Sequence, residues 1–155
     1  MENEYLLPLL GIAIAAMWAK WKKRRRPMTK PKHYISRAIE HELEDDFETA
    51  LEIRKAGLAL SQLTDLERAE LLVGIGRIYL EWNDPVEATH YFDQTFQVAE
   101  RIEFPYDKQY EKIIAAYTAA GRYGDAKRLL DRLIERQYYD KRFKRLEKLK
   151  EIYFQ

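Results

Sequence analysis

Asp46-Phe47-Glu48-Thr49-Ala50, Asp84-Pro85-Val86-Glu87-Ala88 and Arg122-Tyr123-Gly124-Asp125-Ala126 decide the fold, because these three stretches recur at a fixed spacing. Ala50, Ala88 and Ala126 stand 38 residues apart, twice. The apolar residues that follow keep the same step, with Ile53, Tyr91 and Leu129 in one set and Leu58, Phe96 and Ile134 in another. Each alanine therefore opens a helix with an apolar stripe on one face. A period of this size marks stacked supersecondary units, none of which buries its apolar face alone.

Moving upstream, a preceding helix repeats as well, with Tyr79 and Tyr117 again 38 apart and His41 at the corresponding place in the first unit. Turn signals separate the helices of each pair: Glu44-Asp45-Asp46, Asn83-Asp84-Pro85 and Gly121-Arg122. Pro85 suits a first helical turn, where its missing N–H has no role. Only six Gly and five Pro are present, and three of the Pro (Pro8, Pro27, Pro31) lie in the first 31 residues, so the remainder has few helix breakers.

These units resemble the tetratricopeptide repeat, whose pattern runs aromatic, L-G, Tyr, then A-x₃-F. The middle unit carries Leu72, Ile75, Gly76, Tyr79, Ala88 and Phe92 at those places, and the third carries Tyr110, Ile113, Ile114, Tyr117, Ala126 and Leu130. The first has Tyr34, Arg37, Ala38, His41, Ala50 and Arg54. Arg54 departs from the pattern, as does Ile114, which stands where a small residue lets paired helices approach. Glu100 and Tyr138 occupy the family's terminal proline site, and the 38-residue period implies about four residues beyond the usual unit in helix ends or inter-repeat turns. The likeness covers about residues 31–137.

The resemblance implies an all-α, right-handed α-solenoid of about three hairpins over residues 33–139. Residues 140–155 (DKRFKRLEKLKEIYFQ) read as a capping helix with Phe143, Leu146, Leu149 and Tyr153 toward the array. It also implies a protein partner, taken as a peptide or amphipathic helix in the groove lined by each first helix. By register, that groove holds Ile35, Ile39 and Glu42 from the first unit and Glu70, Val73, Arg77 and Leu80 from the second. The third contributes Lys108, Glu111, Ala115 and Thr118. The subset that clamps chaperone C-terminal carboxylates needs Lys and Asn where this chain has Ile35, Ile39, Val73 and Arg77, which argues against that ligand.

The N-terminus has a different character. Residues 5–19 (YLLPLLGIAIAAMWA) carry no charge, and extension through Lys20 and Trp21 reaches the short end of the length that spans a bilayer. Trp18 and Trp21 suit an interface, and Lys20 can snorkel. The acidic start (Glu2, Glu4) argues against a secretory leader, and the absence of a polar face within the segment argues against an interfacial helix. Residues 1–21 thus read as a transmembrane anchor, and 22–32 as a basic collar and linker. Lys20, Lys22, Lys23, Arg24, Arg25 and Arg26 face anionic lipid in this reading, and the positive-inside rule sets the body in the cytoplasm and Met1 outside, at an inner or plasma membrane. Eight of the 27 basic residues fall between Lys20 and Lys32 with no acid among them, leaving the rest of the chain net acidic. That balance gives no support to nucleic-acid binding.

The layout is similar to the lipopolysaccharide assembly protein B family, shortened and without its Cys-based metal module. The expected role is a membrane-anchored scaffold or adaptor at the cytoplasmic face. A permanent subunit of a larger membrane complex, or a receptor of the mitochondrial outer-membrane import type, is the alternative. No chemistry is expected. With no cysteine, thiol catalysis and Cys-based metal sites are excluded. His33, His41 and His90 lack metal-ligand spacing, and no phosphate-binding loop or hydrolase motif occurs. No cofactor, metal or small-molecule substrate is expected. Tyr79, Tyr91, Tyr110, Tyr117 and Tyr123 fall on or beside packing positions, and most of them are expected in the core.

Overall fold

A computed structural model of the protein describes residues 12, 14–19, 22 and 27–154. The described residues are all helical or connecting, with no strand among them. Six helices form three successive pairs: α1 (Pro31–Glu42) with α2 (Phe47–Leu58), α3 (Asp65–Glu81) with α4 (Pro85–Val98), and α5 (Gln109–Ala119) with α6 (Tyr123–Glu135). A 3-10 turn (Ala99–Arg101) follows α4, two more (Arg136–Tyr138, Lys141–Glu147) follow α6, and α7 (Lys148–Tyr153) ends the order. Each of the six paired helices packs on the next, and α1 also touches α3.

The turn within each pair is one device used three times. Asp45, Asn83 and Gly121 take positive φ of 58°, 57° and 74°, and they too stand 38 residues apart. The following N–H of Asp46, Asp84 and Arg122 donates five residues back, to the carbonyls of His41 (3.0 Å), Tyr79 (2.9 Å) and Tyr117 (2.8 Å). The positive-φ residues donate to Glu42 (3.2 Å), Leu80 (2.9 Å) and Thr118 (3.0 Å). This is the Schellman arrangement, which satisfies carbonyls that a helix end leaves without partners. Asp46 and Asp84 then cap the next helix, accepting from the N–H of Thr49 (3.3 Å) and Glu87 (3.0 Å). Arg122 has no such side-chain acceptor, and its unit instead tucks Arg122 between Asp93 and Asp125.

Residues 59–64 and 99–108 connect the pairs, and α3, with 17 residues, is longer than α1 (12) and α5 (11). A capping box starts α3: Thr64 Oγ1 accepts from Glu67 N–H (3.2 Å), and Glu67 accepts from Thr64 N–H (2.9 Å).

Two apolar clusters fill the interior. Ala38, Ala50, Leu51, Ile75 and Ile78 join the first two pairs. A larger cluster around Phe92, Ile113, Tyr117, Leu130 and Phe143 joins the second and third pairs to the C-terminal segment, with Tyr79 packed against both clusters. The C-terminal cover is a 3-10 turn running into α7 rather than one α-helix, yet Phe143, Leu146 and Leu149 are buried in it and Tyr153 packs on the same cluster. Lys148 pairs with Glu111 (2.9 Å) and Lys150 with Asp131 (2.7 Å), so this segment is tied to both α5 and α6.

Among the described residues no helix is long and apolar enough to cross a membrane. The anchor expected over residues 1–21 lies largely outside the described residues, as do the collar positions Lys20, Trp21, Lys23, Arg24, Arg25 and Arg26. Residues 14–19 are helical and exposed, and Lys22 Nζ lies 5.0 Å from the centre of the Trp18 ring.

Candidate functional site

Two depressions on the described surface share Arg77. The first is a cleft of about 140 Å³ between the second and third pairs. Glu70, Val73 and Arg77 line it from α3, which is one helical face at i, i+3 and i+7. Phe96 of α4, Phe104 of the connecting loop, and Tyr110 and Ile113 of α5 supply most of its apolar wall. The second depression lies between the first and second pairs, where Ile39 and Glu42 meet Arg77 beside Leu43 and Phe47.

The structure therefore brings Ile39, Glu42, Glu70, Val73 and Arg77 onto these two clefts. Ile35, Leu80, Lys108, Ala115, Thr118 and Glu111 line neither of them. Leu80 packs against the larger core cluster, Glu111 is taken by Lys148, and Thr118 donates its hydroxyl to the Ala115 carbonyl (2.8 Å). In α5 the residues on the cleft are Gln109, Tyr110 and Ile113, one helical face away from those expected.

Glu42 is committed elsewhere. Its Oε1 accepts from Arg54 Nε at 2.6 Å, and its side chain is 11% exposed. Arg54, at the place of Phe92 and Leu130 in the other units, is itself 1% exposed. It also donates to the Glu70 carbonyl (3.3 Å), and a Cβ built on Gly74 would fall 2.1 Å from its guanidinium. The bare backbone at Gly74 is thus the space the guanidinium occupies. The sequence flagged Arg54 as a departure, but its partner depends on helix docking and had no sequence signal.

The loop wall of the first cleft is held by Arg136, which the sequence reading did not single out. Its guanidinium lies 4.1 Å from the centre of the Phe104 ring and donates to the carbonyls of Ile102 (2.8 Å) and Ala99 (3.1 Å). It closes the C-terminal end of α4 and fixes Phe104 against the cleft. Phe104 in turn meets Phe96, Tyr110 and Phe143 at 5.7–6.4 Å between ring centres.

The tyrosines divide. Tyr117 is buried, and its hydroxyl donates to Asp93 Oδ1 (2.8 Å). Burial, with Asp93 adding to it, raises the Tyr117 phenol well above its ordinary range. Tyr110 stacks on Phe143 at 5.8 Å and is likewise raised, chiefly by burial. Tyr79 stacks on Tyr91 at 5.5 Å. Tyr123, the first residue of α6, is the exception at 58% exposed.

The histidines are all occupied locally. His33 Nδ1 accepts from Thr29 N–H (3.2 Å), and His90 packs edge-on to Tyr91. His41 Nδ1 lies 2.8 Å from Asp46 Oδ2, and that contact leads the lowering of the Asp46 carboxyl. Among the described residues no three metal-ligating side chains converge.

The fold and site define an all-helical chain of paired helices with apolar clefts between the pairs. Comparison with known proteins finds no matching family model, no matching curated protein and no matching solved structure.

Proposed function

We propose that this chain is a membrane-anchored, tetratricopeptide-like scaffold or adaptor. In this reading the three helix pairs wind as a right-handed α-solenoid and bind a protein partner at the cytoplasmic face, with no catalysis of their own. The observation that carries it is the cleft between the second and third pairs. Its apolar wall is rimmed by Glu70 and Arg77, so it offers one partner element both burial and orientation. The matching turns at Asp45, Asn83 and Gly121 support the repeat reading, since they place equivalent residues of α1, α3 and α5 in one register. The uncharged residues 5–19 and the basic run after them support the anchor. Tethering would raise the local concentration of whatever the array binds.

The test is crosslinking in native membranes, paired with removal of residues 1–31. The full chain should fractionate with membranes and yield protein adducts that high salt weakens. The shortened chain should be soluble, helical and monomeric by circular dichroism and light scattering. Aggregation of that fragment, with stoichiometric co-purification of the full chain in detergent, would replace the adaptor by a permanent subunit of a larger complex.

A further inference from the structure

On the apolar cleft, the Glu70 and Arg77 side chains make no hydrogen bond among the described residues. Glu70 is exposed, and its carboxylate has no partner among the described residues; only its backbone carbonyl is used, by Arg54. Arg77 is 43% exposed at its side chain, and its recorded contact is with Glu42 Oε2 at 4.0 Å, beyond hydrogen-bond range. Glu42 is already held by Arg54 at 2.6 Å, so Arg77 keeps its guanidinium donors for another acceptor. Asp107, also on the wall, is engaged by Gln109 N–H at 2.8 Å.

Glu70 and Arg77 lie two turns apart on one face of α3, about 10 Å along the axis, with Val73 between them. We infer that the cleft takes an amphipathic helix of a partner protein, lying antiparallel to α3 and carrying an acid, an apolar residue and a base at i, i+3 or i+4, and i+7. The acid meets Arg77, the base meets Glu70, and the apolar side chain enters between Val73, Phe96, Phe104 and Tyr110. The antiparallel sense follows from the dipole of the partner helix, which favours its acid toward its own N-terminus and its base toward its C-terminus. Only that sense brings the acid to Arg77, near the C-terminal end of α3, and the base to Glu70, near its start. This inference rests on the adaptor reading and specifies the partner.

The test places p-benzoylphenylalanine at Leu66, a half-exposed residue on the cleft, and separately at Tyr138, an exposed residue away from it, in the full chain in its native membranes. Adducts from Leu66 are mapped by mass spectrometry, and the captured segment is synthesised as a peptide. The expected segment has the acid, apolar, base spacing. Its affinity should fall about three- to fivefold with Arg77→Glu and with Glu70→Lys, and each loss should be recovered by reversing the charge of the matching peptide residue. A chain that had merely misfolded would not be rescued by a change in the peptide. Adducts from Leu66 to lipid, to a second copy, to residues 1–26 of the chain, or to a segment lacking the spacing would overturn the inference. So would a peptide indifferent to both charge reversals. Protein adducts from Tyr138 alone would overturn it while leaving an adaptor in place. Protein adducts from neither position would remove both.

Discussion

Arg54 Nε and Glu42 Oε1 are 2.6 Å apart in an interior ion pair that links α2 to α1, with the guanidinium filling the space above Gly74 of α3. A buried charge of this kind contributes little net stability as a pair, but it is costly to break. Glu42→Gln should therefore destabilise the chain by about 3 kcal/mol, because the Arg54 charge stays buried without its counter-ion. Arg54→Met combined with Glu42→Leu should cost far less than either single change. Urea unfolding followed by circular dichroism measures both. A loss in the double variant equal to the sum of the two single losses would mean the pair is not coupled.

Gly76 and Phe92 make the second close approach. On an exposed helix, Gly→Ala gains about 1 kcal/mol from propensity. Here a Cβ at Gly76 would lie 2.4 Å from Phe92 Cε1, and Phe92 is fully buried, so the ring has nowhere to swing. Overpacking should win, and Gly76→Ala should lose about 2 kcal/mol. Phe92→Leu in the same chain should recover part of that loss, giving a double variant more stable than the two single effects predict by addition.

Much of this was legible in the primary structure. The 38-residue register located the helix pairs and the turns at Asp45, Asn83 and Gly121, and the apolar spacing of residues 140–155 located the buried Phe143, Leu146 and Leu149, because periodicity and turn chemistry are local properties. Glu70, Val73 and Arg77 share a helical face whatever the neighbours do, so their lying together on one cleft was legible. The face that α5 shows to the cleft was not, because it depends on how the loop of residues 99–108 docks, and that is set by Arg136 from 35 residues or so downstream. Glu42 lines the second depression, but its partner Arg54 comes from another helix and was not legible for the same reason.

The three turns give a cleaner measure of backbone cost. Nothing lies within 4 Å of a Cβ built on Gly121, so Gly121→Ala isolates the penalty of positive φ from any clash. It should cost about 1 kcal/mol, and Asn83→Ala should cost a similar amount, since the two residues share the left-handed region. A shift in the urea midpoint with unchanged slope is the expected signature. A loss at Gly121 but none at Asn83 would show that the second turn relaxes to another conformation.

Tyr110 and Tyr117 make the fold sensitive to alkali. Both phenols are raised by burial, and in the unfolded chain a tyrosine ionises near about pH 10. Below that pH both states keep the proton, and the pair leaves stability unchanged. Above it the unfolded state loses protons that the folded state retains, so stability falls as pH rises toward the folded-state values. The urea midpoint should hold steady through neutral pH and drop above about pH 10, with buried tyrosinate absorbance appearing only as the helical signal is lost. Tyr117→Phe should lower stability at neutral pH by about 1 kcal/mol, through loss of the hydrogen bond to Asp93. The same variant should show a shallower alkaline decline, because one fewer proton separates the two states. If the decline keeps its slope in that variant, Tyr117 is not one of the groups that produce it.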